Sequence, residues 1–241
     1  ELSPKFCEVL KKIFKSRGKV FVYSQFVNFE GLTIFAKMLE ANGFTIISGI
    51  DDLQSTPVDS IGKLIIHHVE GTPDSFRLGR IMERIVDTDG DKWKVIVYEN
   101  GLEGDTTIED IPVEDINLAR FILWSGSVDM EERRIIKETF NSESNIYGKD
   151  IMGILVSSSG AEGISLFNVR QSHILEPYWN NARMLQVEGR TIRYQSHIQL
   201  LEEEQHIDVY YYTSKFQEKH KALPLVKSDN NKTVDEKLID T

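Results

Sequence analysis

The feature that most constrains this chain is an alternation of short apolar runs with amphipathic stretches of helical period, broken once in the middle. Residues 19–23, 121–124, 151–156 and 172–175 are apolar runs rich in β-branched and aromatic side chains, the composition of strands buried on both faces. Ser3 before Pro4 is a helix start, and Phe6, Val9, Leu10, Ile13 and Phe14 then share one helical face up to the stop at Gly18. Leu32, Phe35, Met38 and Leu39 mark a second helix that ends at Gly43. Asp129 with Glu132 forms a capping box for a third, running through Phe140 with Ile135 and Ile136 inward. A fourth helix is expected over 180–194 and a late strand over 209–212. Strands alternating with helices predict an α/β fold: a parallel sheet with helices on both faces.

Between residues 51 and 117 the grammar changes. Strand-like runs at 80–86, 92–98 and 107–111 are separated by Asp89-Gly90 and Asn100-Gly101 turn signals, which predicts a small antiparallel sheet or barrel inserted into the larger fold. The charge follows the same division. Of the formal net charge of -10, all belongs to 51–117, which holds 16 acidic and 6 basic residues; the remainder holds 22 of each. The chain therefore divides into a first α/β part (1–50), an acidic β-rich insertion (51–117), a second α/β part (118–226) and a polar tail (227–241). No apolar run approaches the roughly 18 residues that cross a bilayer, and no signal-peptide pattern is present. Cys7 is the single cysteine, so the chain has no disulfide framework and no cysteine-based metal site, which fits a reducing compartment.

Parallel sheets bind ligands in the crevice beyond the carboxyl ends of their strands, and four segments fall there. They are Tyr23-Ser24-Gln25-Phe26, Trp124-Ser125-Gly126-Ser127, the run from Ser157, Ser158 and Ser159 through Gly160, Ala161, Glu162 and Gly163, and the run from Gln186 through Gly189 and Arg190 to Arg193. The small residues and glycines of the third segment suit either close backbone approach to an anion or a tight strand-to-helix turn. The fourth places Arg190 and Arg193 on one face of the expected helix, with Gln186 a turn earlier. That spacing suits a clamp for phosphate, or a solvated face with salt bridges to Glu188.

Taken together and in this order, the four segments resemble motifs IV, IVa, V and VI of the second RecA-like lobe of superfamily 2 helicases and translocases. The stretch Gly163 to Asn180, the Asn141, Ser142, Asn145 and Gly148 pattern and the Arg193-x-x-Ser196-His197 ending are similar to the ATPases of nucleocytoplasmic large DNA viruses, the poxvirus nucleoside triphosphatase I and early transcription factor group. The resemblance covers 1–50 and 118–241 and leaves the insertion unexplained. It implies a RecA-like fold and residue roles. Arg190 and Arg193 would be arginine fingers, and Gln186 would tie motif VI to the ATP site. Glu162, Gly163 and Gly160 would lie on the nucleotide side. Ser24, Gln25, Ser125, Gly126, Ser157, Ser158 and Ser159 would line a nucleic-acid track, with DNA expected over RNA.

The sequence holds neither a Gly-x-x-x-x-Gly-Lys-Ser/Thr phosphate loop nor an Asp-Glu-x-His box. The family keeps both on its first lobe. The expectation is thus a piece of a longer ATPase, acting in viral transcription in a cytoplasmic viral factory or the virion. ATP and Mg2+ would be held mainly by the N-terminal RecA-like lobe, which this chain lacks. A chromatin-remodelling-type translocase lobe is the alternative within the fold. A non-enzymatic module that binds a protein partner through the acidic insertion is the alternative outside it. His67 and His68 are expected on opposite faces of a strand and no metal site is expected. His173 reads as core, residues 202–204 as a solvated glutamate turn, Trp179 as packing against motif VI, and Phe76, Trp93 and Tyr98 as an aromatic cluster within the insertion.

Overall fold

The structure, a computed structural model, describes residues 3–28, 31–54, 60–72, 75–86, 88, 90–124, 129–161, 163–176, 178, 180–215 and 233. Asp89, Ser125, Gly126, Ser127, Glu162, Trp179 and the tail from 227, Thr233 apart, lie outside the described residues.

The α/β part is a six-stranded parallel sheet. Its strands are β1 (Lys19–Ser24), β2 (Thr45–Ile47), β8 (Arg120–Trp124), β9 (Gly153–Ser157), β10 (Val169–Ile174) and β11 (Asp208–Tyr211), in the order β11-β10-β1-β9-β8-β2. The insertion supplies β3 (Leu64–His67), β4 (Arg77–Ile85), β5 (Lys92–Tyr98), β6 (Thr106–Pro112) and β7 (Asn117–Leu118), an antiparallel sheet in the order β6-β5-β4-β3-β7. Helices α1 (Pro4–Phe14), α2 (Leu32–Ala41), α3 (Met130–Asn141) and α4 (Asn181–Glu188) flank the parallel sheet.

Period-two alternation decides which core each strand residue joins. Val20 and Val22 of β1 pack with the buried faces of α1 and α2, whereas Phe21 and Tyr23 pack on the opposite side with Ile136 and Phe140 of α3 and Met184 and Val187 of α4. Helix α1 begins as expected, with the Ser3 hydroxyl accepting from the Phe6 N–H, and buries Phe6, Val9, Leu10, Ile13 and Phe14. Asp129 caps α3 by accepting from the Glu131 N–H.

The insertion completes the first of these cores. Leu64, Ile66, Phe76 and Leu78 are buried with α1 and α2, and the Tyr98 ring meets Phe14 edge-on at 5.6 Å. Trp93 instead belongs to the sheet's other face, with Ile65, Ile81, Val95, Val97 and Leu118. The expected Phe76, Trp93 and Tyr98 cluster is therefore divided between two cores, because alternation along β5 sends Trp93 and Tyr98 to opposite faces. Arg80 fastens the junction by donating to the Gly62 carbonyl at 2.8 Å, the Asn42 carbonyl at 2.9 Å and the Tyr98 hydroxyl at 3.0 Å. Gly43 has φ +98°, and a Cβ there would lie 2.6 Å from the Gly62 carbonyl oxygen, so the junction needs glycine on both counts.

Three buried polar groups hold the α/β part. Asn145 is fully buried. Its amide donates to the Phe140 and Ile151 carbonyls, both at 3.1 Å, and its oxygen accepts from the Asp150 and Ile151 N–H groups at 2.9 and 3.1 Å. Lys19 also donates to the Phe140 carbonyl, at 2.6 Å, and burial lowers its amine to about 7. Glu204 corrects the expectation of a solvated turn over 202–204. It is fully buried, 3.4 Å from the Arg170 guanidinium and accepting from the Tyr147 hydroxyl at 2.7 Å. The Tyr147 ring stacks on His68 at 3.7 Å, whereas His67 turns to Glu109 at 3.5 Å, so the two imidazoles diverge as expected.

Asn145→Ala leaves several buried backbone groups without their partner. It should lower unfolding stability by roughly 2–4 kcal/mol in denaturant titration.

His173 is buried between the Tyr212 hydroxyl at 2.8 Å and the Gln171 side chain at 3.1 Å, and burial pushes its pKa from 6.5 down to about 3. Between those values the unfolded chain binds a proton that the folded chain does not. Acidification below about 6.5 therefore erodes stability, by up to ~1.4 kcal/mol per pH unit from this group. Urea titrations at pH 7, 6 and 5 should show a shallower loss in His173→Gln; identical slopes would remove His173 as a cause.

Candidate functional site

The parallel register brings the carboxyl ends of three strands to one level. Ser24 at the end of β1 stands opposite Ser157 at the end of β9, and Tyr23 opposite Ile174 of β10. Glu176, just past β10, closes this edge. Its Oε2 accepts from the Ser24 hydroxyl at 2.8 Å and the Gln25 N–H at 3.2 Å, while Lys5 of α1 lies 3.8 Å from Oε1 and donates to the Leu175 carbonyl. Ser24 is fully buried, and its hydroxyl also accepts from the Phe26 N–H within the 23–26 turn. Gln25 is half-buried beside it.

The turn after β9 closes on itself. The Gly160 and Ala161 N–H groups both donate to the Ser157 carbonyl, at 3.0 and 2.9 Å, and the Gly160 carbonyl accepts from the Trp124 indole at 2.9 Å. A Cβ at Gly160 would stand 2.5 Å from the Trp124 ring. Glycine is thus required there by close packing, and its backbone donors are already spent. Ser157 is buried with its hydroxyl 3.1 Å from that of Ser159, which is exposed. Gly163 takes φ +73°, a left-handed conformation suited to glycine, with open space around it.

Helix α4 stops earlier than its apolar pattern predicts. It starts under an Asn180 cap and ends at Glu188, with Gly189 as its C-cap, so Arg190 and Arg193 do not share a helical face. Their surroundings differ accordingly. Gln186 and Arg190 line a cleft of about 380 Å³ together with Tyr23, Ser158, Asn180 and Arg183. Among the described residues that line this cleft none is a carboxylate; Glu162, next to the lining residue Ala161, lies outside them. The Arg190 Nε is buried without a hydrogen-bond partner. Arg193 is exposed, lines a separate depression with Ser196, His197 and Gln205, and donates from Nε to the Gly189 carbonyl at 2.7 Å. Glu188 forms no ion pair with either arginine among the described residues, and burial raises its carboxyl above the ordinary range.

Ser196 and His197 set where the arginine turn lies. The His197 Nε2 meets the Val169 carbonyl at 2.7 Å and its Nδ1 meets the Ser196 hydroxyl at 2.8 Å, while the Asn168 N–H donates to the Ser196 carbonyl at 2.8 Å. The Ser-His ending thereby pins the 190–197 turn to the start of β10.

Arg183 is the cleft residue that the sequence reading missed. Its guanidinium donates to the Ser158 hydroxyl and lies over the Tyr178 ring, 4.5 Å from the centroid. The signal was available: residues 183, 186 and 190 recur at helical spacing.

Residues 78–195 match the helicase conserved C-terminal domain. The chain carries a helicase C-terminal domain. The match runs from β4 of the insertion to Gln195 and includes the β9 turn and the arginine turn, leaving β1 and the 23–26 turn outside it. The termination factor NPH-I homolog of African swine fever virus is 33% identical over 235 residues, which is 98% of this chain and 29% of that protein. That alignment covers 98% of the chain and so runs through the insertion. A protein of Acanthamoeba polyphaga mimivirus, named for an ATP-dependent RNA helicase, is 31% identical over 212 residues, 88% of this chain and 26% of that one. The chain therefore spans under a third of the length of these relatives. The solved C-terminal part of the Fun30 ATPase domain aligns over 98% of this chain and 52% of that one, with 14% identity and a TM-score of 0.43. Among the described residues no helix is long and apolar enough to cross a membrane.

Glu176→Ala removes the acceptor shared by Ser24 and Gln25. It should cost about 1–3 kcal/mol and speed amide exchange at Gln25, measured by hydrogen–deuterium exchange.

Proposed function

We propose that this chain is the second motor lobe of a nucleic-acid-dependent ATPase acting in viral transcription. In this reading Arg190 reaches across to ATP held, with Mg2+, by a first lobe elsewhere in the protein. The observation that carries it is the Arg190 guanidinium, with its buried Nε unpartnered, in a cleft at the strand ends that Gln186 and Arg183 also line. A buried guanidinium N–H without an acceptor is costly, and an arriving phosphate oxygen removes that cost. ATP supplies the phosphoryl group that is transferred. This chain's part is positive charge opposite that group, with Gln186 beside it as an uncharged hydrogen-bonding group. The described donors of the cleft, the arginines with Gln186 and Ser158, suit phosphate.

Nucleic acid would run past Gln25, Ser158 and Ser159, with the buried Ser24 and Ser157 shaping the turns behind them. Ser125 and Gly126 keep the same proposed role, and Glu162 and Gly163 a place on the nucleotide side. DNA is the proposed track. The viral relatives support a place in a viral factory or virion, and one of them is named as a termination factor. A basic protein partner on the acidic sheet is the proposed role of the insertion. Because that sheet shares a core with α1 and α2, exposed charge reversals test this better than deletion.

In the protein that carries this chain, Arg190→Ala should lower ATP turnover by about 10³-fold or more while nucleotide binding persists. Unchanged turnover would sink the arginine-finger role. Comparing stimulation by duplex DNA, single-stranded DNA and RNA over a salt series identifies the track.

A further inference from the structure

We propose that β6, the outer strand of the acidic sheet, is a docking edge that takes up a basic, extended segment of a protein partner as a further strand. This docking mode rests on the reading of that sheet as the seat of a basic partner, and adds where and how the partner binds.

Among the described residues the two sheets end in β2, β11, β7 and β6. The first three have three, four and two residues, and so short an edge offers little to a passing chain. β6 has seven, and its pairing with β5 runs from Thr106 to Pro112 without the register shift seen between β4 and β5. Two bonds at its ends fix which way its backbone groups point. The Glu99 N–H donates to the Asp105 carbonyl at 2.9 Å, and the Val113 N–H to the Asp91 carbonyl at 3.2 Å. Opposed residues of an antiparallel pair alternate between bonded and non-bonded, so Thr107, Glu109 and Ile111 bond to β5. Thr106, Ile108 and Asp110 therefore turn their N–H and C=O groups away from the sheet, and all three residues are exposed. Pro112 falls in the same outward set, where the missing N–H costs no ladder bond.

The chemistry along this edge selects its occupant. Residues 102–116 hold six acidic side chains and no basic one. Glu103 meets Lys11 at 3.8 Å and Glu109 meets His67 at 3.5 Å. Lys94, across from Asp110, is given to Glu83. Asp105, Asp110, Glu114 and Asp115 are exposed and form no ion pair among the described residues. Alternation puts Ile108 and Asp110 on one face of the strand and Glu109 on the other. Ile108 is 69% exposed. A chain laid along β6 thus meets a carboxylate on each face and an apolar side chain in the middle of one. A second copy of this chain would set acid against acid, and nucleic acid would bring phosphate to carboxylate, so both are disfavoured. An extended segment with bases on both faces and an apolar residue amid one of them meets all three features. Main-chain bonds then supply affinity and the side chains supply choice.

The test uses the full-length protein with two fluorescein-labelled peptides of equal charge, Lys-Lys-Val-Lys-Val-Lys-Lys and Lys-Lys-Lys-Pro-Pro-Lys-Lys. Adjacent prolines deny the second peptide the N–H groups that a strand needs. By fluorescence anisotropy the valine peptide should bind at least about 10-fold tighter at equal salt, and it should slow amide exchange at Thr106, Ile108 and Asp110 by about 10-fold or more. Thr107 and Glu109, already bonded to β5, should exchange as before. Ile108→Lys and Asp110→Lys should each weaken that binding by about fivefold or more at unchanged Tm, whereas Glu114→Lys, beyond the strand, should leave it within about twofold. Equal binding of the two peptides, or binding without protection of the outward amides, overturns strand addition and leaves the basic-partner reading in place. Protection of those amides that rises with protein concentration in the absence of peptide also overturns it, because the occupant is then a second copy. Failure of both peptides to bind at low salt would instead defeat the basic-partner reading itself.

Discussion

The site depends on the in-register parallel pairing of β1 with its two neighbours. Because β1 lies between β9 and β10, Ser24, Ser157 and Glu176 arrive at one edge from positions far apart in the chain. A slip of one residue would exchange Val22 for Tyr23 between the two cores and move the Ser24 hydroxyl away from Glu176. The cleft then takes its remaining wall from α4, which starts just beyond this edge under its Asn180 cap. Strand register, a buried serine–carboxylate contact and one short helix are enough to gather the charged groups.

Much of this was legible locally. The buried face of α1 follows from five apolar positions at helical spacing, and the Ser3 cap and Gly18 stop bound it. The strands at 92–98 and 121–124 are plain because each is a compact run of β-formers. What escaped has a common cause, namely a partner distant in sequence. Glu204 lies in a run of three glutamates and reads as solvated, but Arg170 and Tyr147 make its burial tolerable. The hydrogen bond from the Ser24 hydroxyl to Glu176, 152 residues away, could not be read locally either. The premature end of α4 is a different case: Gly189 announced it, but apolar residues beyond, such as Ile192, imitated a continuing face. Ile192 is in fact exposed. Gly160 is instructive too, since the need for glycine was legible whereas its reason, the Trp124 ring, was not.

The insertion uses both faces of its sheet. One closes the core over α1 and α2, and the other gathers Trp93 with Ile65, Ile81 and Val95. Strands β6 and β7 form the two edges, so the chain after Pro112 must cross the sheet to return to the α/β part. Val113 and Ile116 pack on the second face along that crossing. Glu83, Glu109 and Asp110 lie within the strands of this sheet, and Glu99, Glu103, Asp105, Glu114 and Asp115 in the connections around them.

Phe76, Leu78 and Tyr98 lie in the same packed interior as Val20 and Val22, and Arg80 locks the seam to the end of α2. The acidic sheet therefore has no hinge of its own within that interior. It moves with the α/β part as one piece: a load placed on its far edge passes to α1 and α2 through packed side chains rather than through a joint.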